Sequence, residues 1–492
     1  MALTSAQFLI FCSLTLVLFR LCPFAGLRLA IVLLANLLFL ASMLNGWVES
    51  WALAAFAALG YLGVQIASRL KSGASLGICI AVVVALFIVV KYGDQLSLLR
   101  NLPAFSVIGL SYILFRVLHL IIDLSQDELE HRPSFFEFLA YIFYFPALLS
   151  GPVNRYDGFI QSICIYRRLS YEEVERGVAR TLHGLVKIMI VAPAVQQFFL
   201  YFSRNVIAGA PQTLLSIPLD SASLGATSPT IGLPLCVVAA SALYTGYLYF
   251  NFSGYTHFVI GISGLFGVTL PENFDHPFKA GNVSDFWSRW HMSLSEWFKT
   301  YVFTALALSI STVLPGRRWS LVAACLCLFI SFLLIGLWHG NALVFLYYGL
   351  YLGLAAALHK LYQHGATKML DQKQYRALAR HWAYAGLCRG LTFAYFAVAL
   401  ICFWMNAAQV TLLASQLGAS GVALALAALT IFAAAWLSLY DVMAGALRRL
   451  ISALLGDREF AGRQIWMATQ CFAVLAVAVL FNSAPGFVYQ GF

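Results

Sequence analysis

The sequence predicts an all-α, polytopic integral membrane protein, and three observations lead there. The chain is 61% hydrophobic and only 10% charged, where a soluble domain carries about 25% charged residues. Its mean hydropathy is +0.83. Apolar runs close to the roughly 20 residues that cross a bilayer as a helix recur along most of the 492 residues. Length alone suggests about three domains of ~150 residues. A bundle of membrane helices overrides that prior, so residues 1–492 read as a single integral unit.

Taken in order, the first run, MALTSAQFLIFCSLTLVLF, lacks a basic n-region and a small-residue cleavage site, and reads as a retained first helix. Spans are expected near 6–24, 28–48, 51–68, 76–92, 104–123, 135–153, 181–203, 231–250, 253–270, 320–338, 341–359, 386–406, 421–440 and 465–482. Allowing for re-entrant or broken helices, the expectation is about 11 to 14 membrane segments. Polar stretches at 124–133, 153–180, 271–300 and 360–385 are where a soluble substrate or partner can touch the protein, and 204–230 reads as a loop. Pro315-Gly316 marks a break before the next span.

The formal net charge of +10 reads as topology rather than nucleic-acid binding. Basic residues cluster in short loops: SRLKS at 68–72, YRR at 166–168, GRR at 316–318, 360–389, and 447–449 with 457–463. The positive-inside rule places such loops in the cytoplasm. The ten cysteines scatter through apolar runs; Cys325 and Cys327 form a C-x-C without the second pair that a zinc site needs. They read as small core residues, and no metal is called for.

The segment 282–300, NVSDFWSRWHMSLSEWFKT, has helical periodicity. Phe286, Trp290, Leu294 and Trp297 share one face, and Ser284, Ser288, His291, Ser295 and Lys299 share the other. It reads as one amphipathic helix with His291 in its polar stripe. That helix either lies in the headgroup region or lines a water-filled passage.

Of ten histidines, His359, His364 and His381 sit in a basic loop and read as solvated, and His119 reads as a satisfied core residue. His183 and His257 are ambiguous, and His276 precedes a proline in a loop. His339, in LLIGLWHGNALVFLYYGLYLG at 333–353, stands apart. Ionisable groups at membrane depth are rare and mark function by default. Gly336 and Gly340 beside it admit close approach by another backbone or a ligand. The residues leave catalysis and interhelical hydrogen bonding equally open. No G-x-S-x-G elbow, Walker loop or H-E-x-x-H competes, and intramembrane carboxylates are scarce: Asp123, Glu137 and Asp441 lie near span ends.

Several ordered motifs resemble the membrane-bound O-acyltransferase (MBOAT) family. They are YFPALLSGPVNRYDGF at 144–159, FSGYTHFVIGISGLFG, PENFDHPF, DFWSRWHMSLSEWFKTYVF, LWHGNALVFLYYGLYLG and the terminal GFVYQGF. Residues 107–353 match best, with 354–492 as C-terminal helices. The resemblance implies a helical enzyme with a central funnel or tunnel and two signature histidines, which map to His291 and His339. His339 takes the position usually assigned the catalytic role. The implied donor is an acyl thioester on the cytoplasmic side, acetyl-coenzyme A or an acyl-carrier protein, with nothing bound permanently. The basic face suits either anionic donor. Asn251, Ser253, Tyr255, Asn273, Trp290 and Trp338 are the candidate pocket residues.

Two bacterial branches are nearest, the teichoic-acid D-alanyl transfer proteins and the exopolysaccharide O-acetylases of alginate or cellulose. RWHMSLSEWFKTYVF and the 48-residue step from His291 to His339 resemble the D-alanyl branch. The L-G-G-N/S-R run of the alginate branch is absent, yet the length is nearer the acetylases, and Asn341 stands where Ala, Ile or Thr is more usual. Acetyl and D-alanyl both stay open. The implied location is the bacterial cytoplasmic (inner) membrane. The implied partners are the polysaccharide or teichoic-acid-like acceptor and an extracytoplasmic accessory acyltransferase. The rival readings are a transporter or flippase, whose expected paired intramembrane charges or inverted repeat are not seen, and a non-catalytic scaffold.

Overall fold

Hydrocarbon offers no partners to backbone N–H and C=O, so apolar runs of this length satisfy them internally as helices. The computed structural model of the chain describes residues 5–44, 46–92, 109–207, 232–455 and 459–480. Those residues are helical almost throughout, and the only β pairing among them is an isolated antiparallel bridge, Phe274 to Trp290. Nine of the described helical stretches are long and apolar enough to cross a membrane, and two shorter apolar ones accompany them.

The chain divides into two compact units: residues 1–190, 251–273 and 466–492, and residues 191–250 and 274–465. The first unit contains α1 (Ala6–Leu21), α2 (Ala25–Met43), α3 (Trp47–Arg69), α4 (Gly73–Tyr92), α5 (Leu110–Ser125), α6 (Phe135–Ile142), α7 (Tyr156–Cys164) and α8 (Tyr171–Val186). Capping boxes start α6 at Ser134 with Glu137 and α8 at Ser170 with Glu173, each satisfying two otherwise orphaned backbone donors. A ring cluster of Phe8, Phe39, Phe145 and Phe258 fills the core, with centroids of Phe8 at 5.5 Å from Phe39 and 6.1 Å from Phe258.

The irregular stretch after α6 is held by buried polar groups. Asn36 donates to Ala140 O at 3.2 Å and accepts from Phe145 N at 2.9 Å. The fully buried Arg116 guanidinium donates to Ile142 O at 3.0 Å and Ala147 O at 2.8 Å. Gly109 turns at φ 82°, and a Cβ there would stand 2.6 Å from Leu148 O. Non-helical backbone at membrane depth is tolerated only when the protein satisfies it in this way. His119 is a satisfied core residue, as its sequence context suggests. Its Nδ1 donates to Asp123 Oδ2 at 3.0 Å while Nε2 accepts from Tyr156 N at 3.2 Å.

A π segment, Lys187–Val191, continues α8 into α9 (Ala192–Ile207). Next comes α10 (Leu233–Phe266), whose first half belongs to the second unit and whose second half belongs to the first. It replaces the two spans expected at 231–250 and 253–270. The break expected at 251–252 is absent, and Asn251, Ser253 and Thr256 are buried on a continuous helix. The second unit goes on through α11 (Val283–Trp287), α12 (Met292–Phe298), α13 (Thr304–Val313), α14 (Ser320–His339), α15 (Leu343–Met369), α16 (Gln372–Arg380), α17 (Trp382–Ala399) and α18 (Ala407–Leu455). The last helix is α19 (Glu459–Leu480). A break at Gly418, φ 62°, divides α18, which extends well beyond the span expected at 421–440. Small residues allow α17 and α18 to pack closely: Ala394 and Ala397 meet Ala425 and Leu429, with Val238 of α10. In lipid, where burial of apolar surface supplies no drive between helices, such close approach is what holds them. Most of the expected 204–230 loop, the first residues of the expected 104–123 span and the GFVYQGF end lie outside the described residues.

Candidate active site

His339 is the last residue of α14 and is 5% exposed. The chain leaves the helix through extended Gly340 and re-enters α15 at Leu343. The two helices form a hairpin held by glycines. A Cβ on Gly336 would stand 2.5 Å from Gly349 Cα and 2.6 Å from Phe345 O, and one on Gly353 would stand 2.8 Å from Phe329 O. That approach sets four rings around the imidazole. Its centroid lies 4.7 Å from Trp338, 5.0 Å from Phe403, 5.4 Å from Tyr348 and 6.2 Å from Phe345. Phe345 and Tyr348 lie within the motif around His339, six and nine positions on. Phe403, from the stretch following α17, carries no local signal that would single it out.

His291 departs from the sequence expectation. Residues 282–300 form not one amphipathic helix but two short ones, α11 and α12, broken at His291, which adopts φ 46°, ψ 50°. The reason is the backbone pairing before it. Asn282 caps α11 by accepting from Asp285 N at 2.9 Å. The Asp285 carboxylate holds Arg289 Nε at 2.7 Å, and Arg289 NH1 reaches Asp275 Oδ2 at 3.2 Å. Asp275 N donates to Arg289 O at 3.0 Å beside the Phe274–Trp290 bridge. These ties end the first helix and force a left-handed residue before Ser295 N bonds His291 O at 3.0 Å to open α12. For a non-glycine residue the left-handed conformation costs about 1–2 kcal/mol, a strain that persists where the surroundings over-determine it and that clusters at functional sites. The apolar face is as expected, with Phe286, Trp290, Leu294 and Trp297 all buried. His291, however, is buried too, at 3% exposure, rather than lining a polar stripe. It lies between candidate spans, and loss of solvation pushes its pKa down to about 3, only partly opposed by a backbone hydrogen bond. The ring is therefore neutral at physiological pH.

The His291 segment is braced against the His339 helix. Trp287 packs at 5.0 Å, tilted by 55°, against Phe332, which shares the buried face of α14 with Ile335, Gly336 and His339. Trp287 Nε1 donates to the buried Tyr395 hydroxyl at 3.1 Å. Trp290 packs at 4.6 Å on Phe396 and 5.0 Å on Phe274. The second unit thus assembles His291, Trp290, Trp338 and His339, with Tyr395 and Phe396 as supports that the sequence reading did not pick out.

Asn251, Ser253, Tyr255 and Asn273 belong to the first unit and are all buried. Lys187 Nζ donates to Ser253 Oγ at 3.3 Å. Tyr255 Oη accepts from Ser150 N at 3.4 Å and donates to Pro146 O at 3.5 Å, tying α10 to the SGP segment. The ambiguous pair His183 and His257 stands edge to face at 5.1 Å in the same unit. Backbone contact through Gly184, whose Cβ would meet Phe258 N at 2.5 Å, sets that spacing. His364 and His381 are exposed as expected, but His359 is half-buried with its Nε2 enclosed. All ten cysteines are free thiols, six of them buried.

The MBOAT, membrane-bound O-acyltransferase, family model matches residues 75–398. The chain belongs to that family. Among curated relatives, a teichoic acid D-alanyltransferase of Bacillus subtilis is 30% identical over 251 residues, 50% of this chain and 57% of its own. One of Streptococcus thermophilus is 29% identical, covering 56% and 62%. A probable alginate O-acetylase of Pseudomonas aeruginosa is 28% identical over 273 residues, covering 56% and 46%. The chain spans about half the length of the curated relatives it matches. Membership and the apolar helices make it a multi-pass membrane protein, and both branches named from the sequence motifs are among its relatives.

Proposed function

We propose that this protein passes an acetyl or D-alanyl group from a cytoplasmic thioester to hydroxyls of a cell-envelope or exported polysaccharide, in the bacterial cytoplasmic membrane. The observation that carries the reading is His339. It is a buried imidazole at the end of a 20-residue apolar helix, ringed by Trp338, Tyr348 and Phe403, in a chain of an O-acyltransferase family. A neutral imidazole there takes the proton of the acceptor hydroxyl as its oxygen attacks the thioester carbonyl. The C–S bond then breaks, and the thiolate leaves with that proton. The surrounding rings keep water, the competing nucleophile, away from the thioester. His291, neutral and fixed by its strained backbone, assists by positioning or by relaying the proton. Asn251, Ser253, Tyr255, Asn273, Trp290 and Trp338 are the proposed pocket residues. The donor is acetyl-coenzyme A or an acyl-carrier protein, and the group reaches the polymer directly or through an extracytoplasmic acyltransferase.

The test offers purified protein in liposomes radiolabelled acetyl-coenzyme A or D-alanyl-carrier protein and follows label leaving the thioester. Consumption of one donor by wild type but not by His339→Ala supports the reading and names the acyl group. Polymer acylation that survives His339→Ala in cells but not loss of the whole chain replaces it with a scaffold role.

A further inference from the structure

The second unit contains a cavity of about 1040 Å³ whose lining includes neither His291 nor His339. It lies among α15, α16, α17 and the stretch just before α11, and its volume is at the upper end of small-molecule sites, roughly 300–1,000 Å³. Its lining is mixed, joining Lys279, Asn282, Tyr375, Tyr384 and Arg389 to Leu358, Leu387 and Leu391. The three leucines are 55%, 54% and 60% exposed on helices long and apolar enough to cross a membrane. Its inner wall is built rather than incidental. Tyr351 stacks on Tyr395 at 5.7 Å, Tyr362 and Tyr384 share a hydroxyl hydrogen bond of 2.6 Å, and His359 presents a buried Nε2 with no hydrogen-bond partner among the described residues.

The charge in the lining is specific. Arg389 is committed to the wall, donating to Phe278 O at 2.6 Å and to Asp441 Oδ2 at 2.6 Å. Lys279 is exposed, and no hydrogen bond or ion pair engages its ammonium among the described residues. The lining therefore offers one uncompensated positive charge among the described residues, together with tyrosine hydroxyls. That suits a single phosphodiester and not a polyphosphate, whose further charges would go unmatched. A cationic group and outward-exposed leucines of membrane helices in one lining match an amphiphile, a phosphate with apolar chains. We propose that this cavity is a binding site for an anionic glycerophospholipid, with the phosphate at Lys279 and the acyl chains leaving past Leu387 and Leu391. Basic pockets between membrane helices on the cytoplasmic side are where such headgroups gather, and the basic loop at 360–389 borders this one. The proposal is independent of the acyl-transfer reading.

The experiment uses the full chain, delipidated in detergent, with lipid binding followed by native mass spectrometry. The probes are phosphatidylglycerol, diacylglycerol of the same chains, glycerol 3-phosphate and coenzyme A. One phosphatidylglycerol is expected to bind at least about tenfold more tightly than diacylglycerol. Lys279→Gln should remove that preference and Lys279→Arg should keep it, since a charge-assisted bond is what is lost. Because Lys279 is exposed, both variants should melt with wild type. Three results overturn the proposal: diacylglycerol bound as tightly as phosphatidylglycerol, binding unchanged in Lys279→Gln, or displacement of the lipid by coenzyme A or glycerol 3-phosphate, which would make the cavity a site for soluble phosphates.

Discussion

Gly336→Ala probes how the α14–α15 hairpin positions His339. The new methyl would stand 2.5 Å from Gly349 Cα, 2.6 Å from Phe345 O and 2.7 Å from Gly349 N, all of them backbone atoms that no rotamer change can move. Carbon atoms meet favourably at about 3.5–4.0 Å, so the two helices must part by about 1 Å at this point. Overpacking of this kind costs about 1–3 kcal/mol. The parting also moves Phe345, whose ring is stacked 6.2 Å from His339, and a displacement of about 1 Å near a reacting group can cost on the order of 10²-fold in rate. The assay pairs thermal unfolding in detergent with donor consumption in liposomes. Gly365→Ala on α15, where a Cβ meets nothing within 4 Å, is the control and should be neutral or slightly stabilising. Gly336→Ala with unchanged unfolding and full turnover would refute the claim that backbone contact in this hairpin sets the His339 pocket.

Tyr395→Phe leaves the buried Trp287 Nε1 without its acceptor at 3.1 Å and should cost about 1–3 kcal/mol, read as a lower denaturation midpoint; Tyr395→Leu should cost more. His119→Phe removes the partner that Asp123 Oδ2 and the Tyr156 N–H share. It should destabilise by about 3–5 kcal/mol, as removing one member of a buried pair does, or prevent accumulation of folded protein. The folded-state pKa of His291 lies near 3, below its unfolded value of about 6.5. Its contribution to stability is therefore complete above pH ~6.5 and is lost as pH falls toward 3. The slope is at most about 1.4 kcal/mol per pH unit, and a His291→Gln variant should show a shallower acid-side decline in melting temperature.

Much of this architecture is legible in the sequence where a physical signal is local. The spans that became α2, α3, α4, α14 and α15 are apolar runs whose length fixes their state, and His339 declares itself as a lone imidazole at the end of such a run. The failures share a cause in contacts between residues distant along the chain. The break expected at 251–252 is absent because burial of polar Asn251 and Ser253 on α10 depends on packing that the local run does not show. His291 sits in a segment with unbroken helical periodicity, so nothing local reports that the Asp275–Arg289 pairing breaks the helix there. Burial then turns an apparent polar-stripe histidine into a core one. Phe403 beside His339 and Tyr395 beneath Trp287 arrive from more than 60 positions away, and only the folded chain reveals them.

The proposed chemistry depends on His339 acting as the base in acyl transfer. The most direct measurement is the single-turnover rate of thioester discharge to acceptor in liposomes, for wild type, His339→Ala and His339→Gln at matched folded protein. A positioned general base contributes roughly 10²–10⁴-fold, so both variants should fall by that factor while donor binding and melting temperature hold. Transfer at the wild-type rate in either variant would contradict the claim.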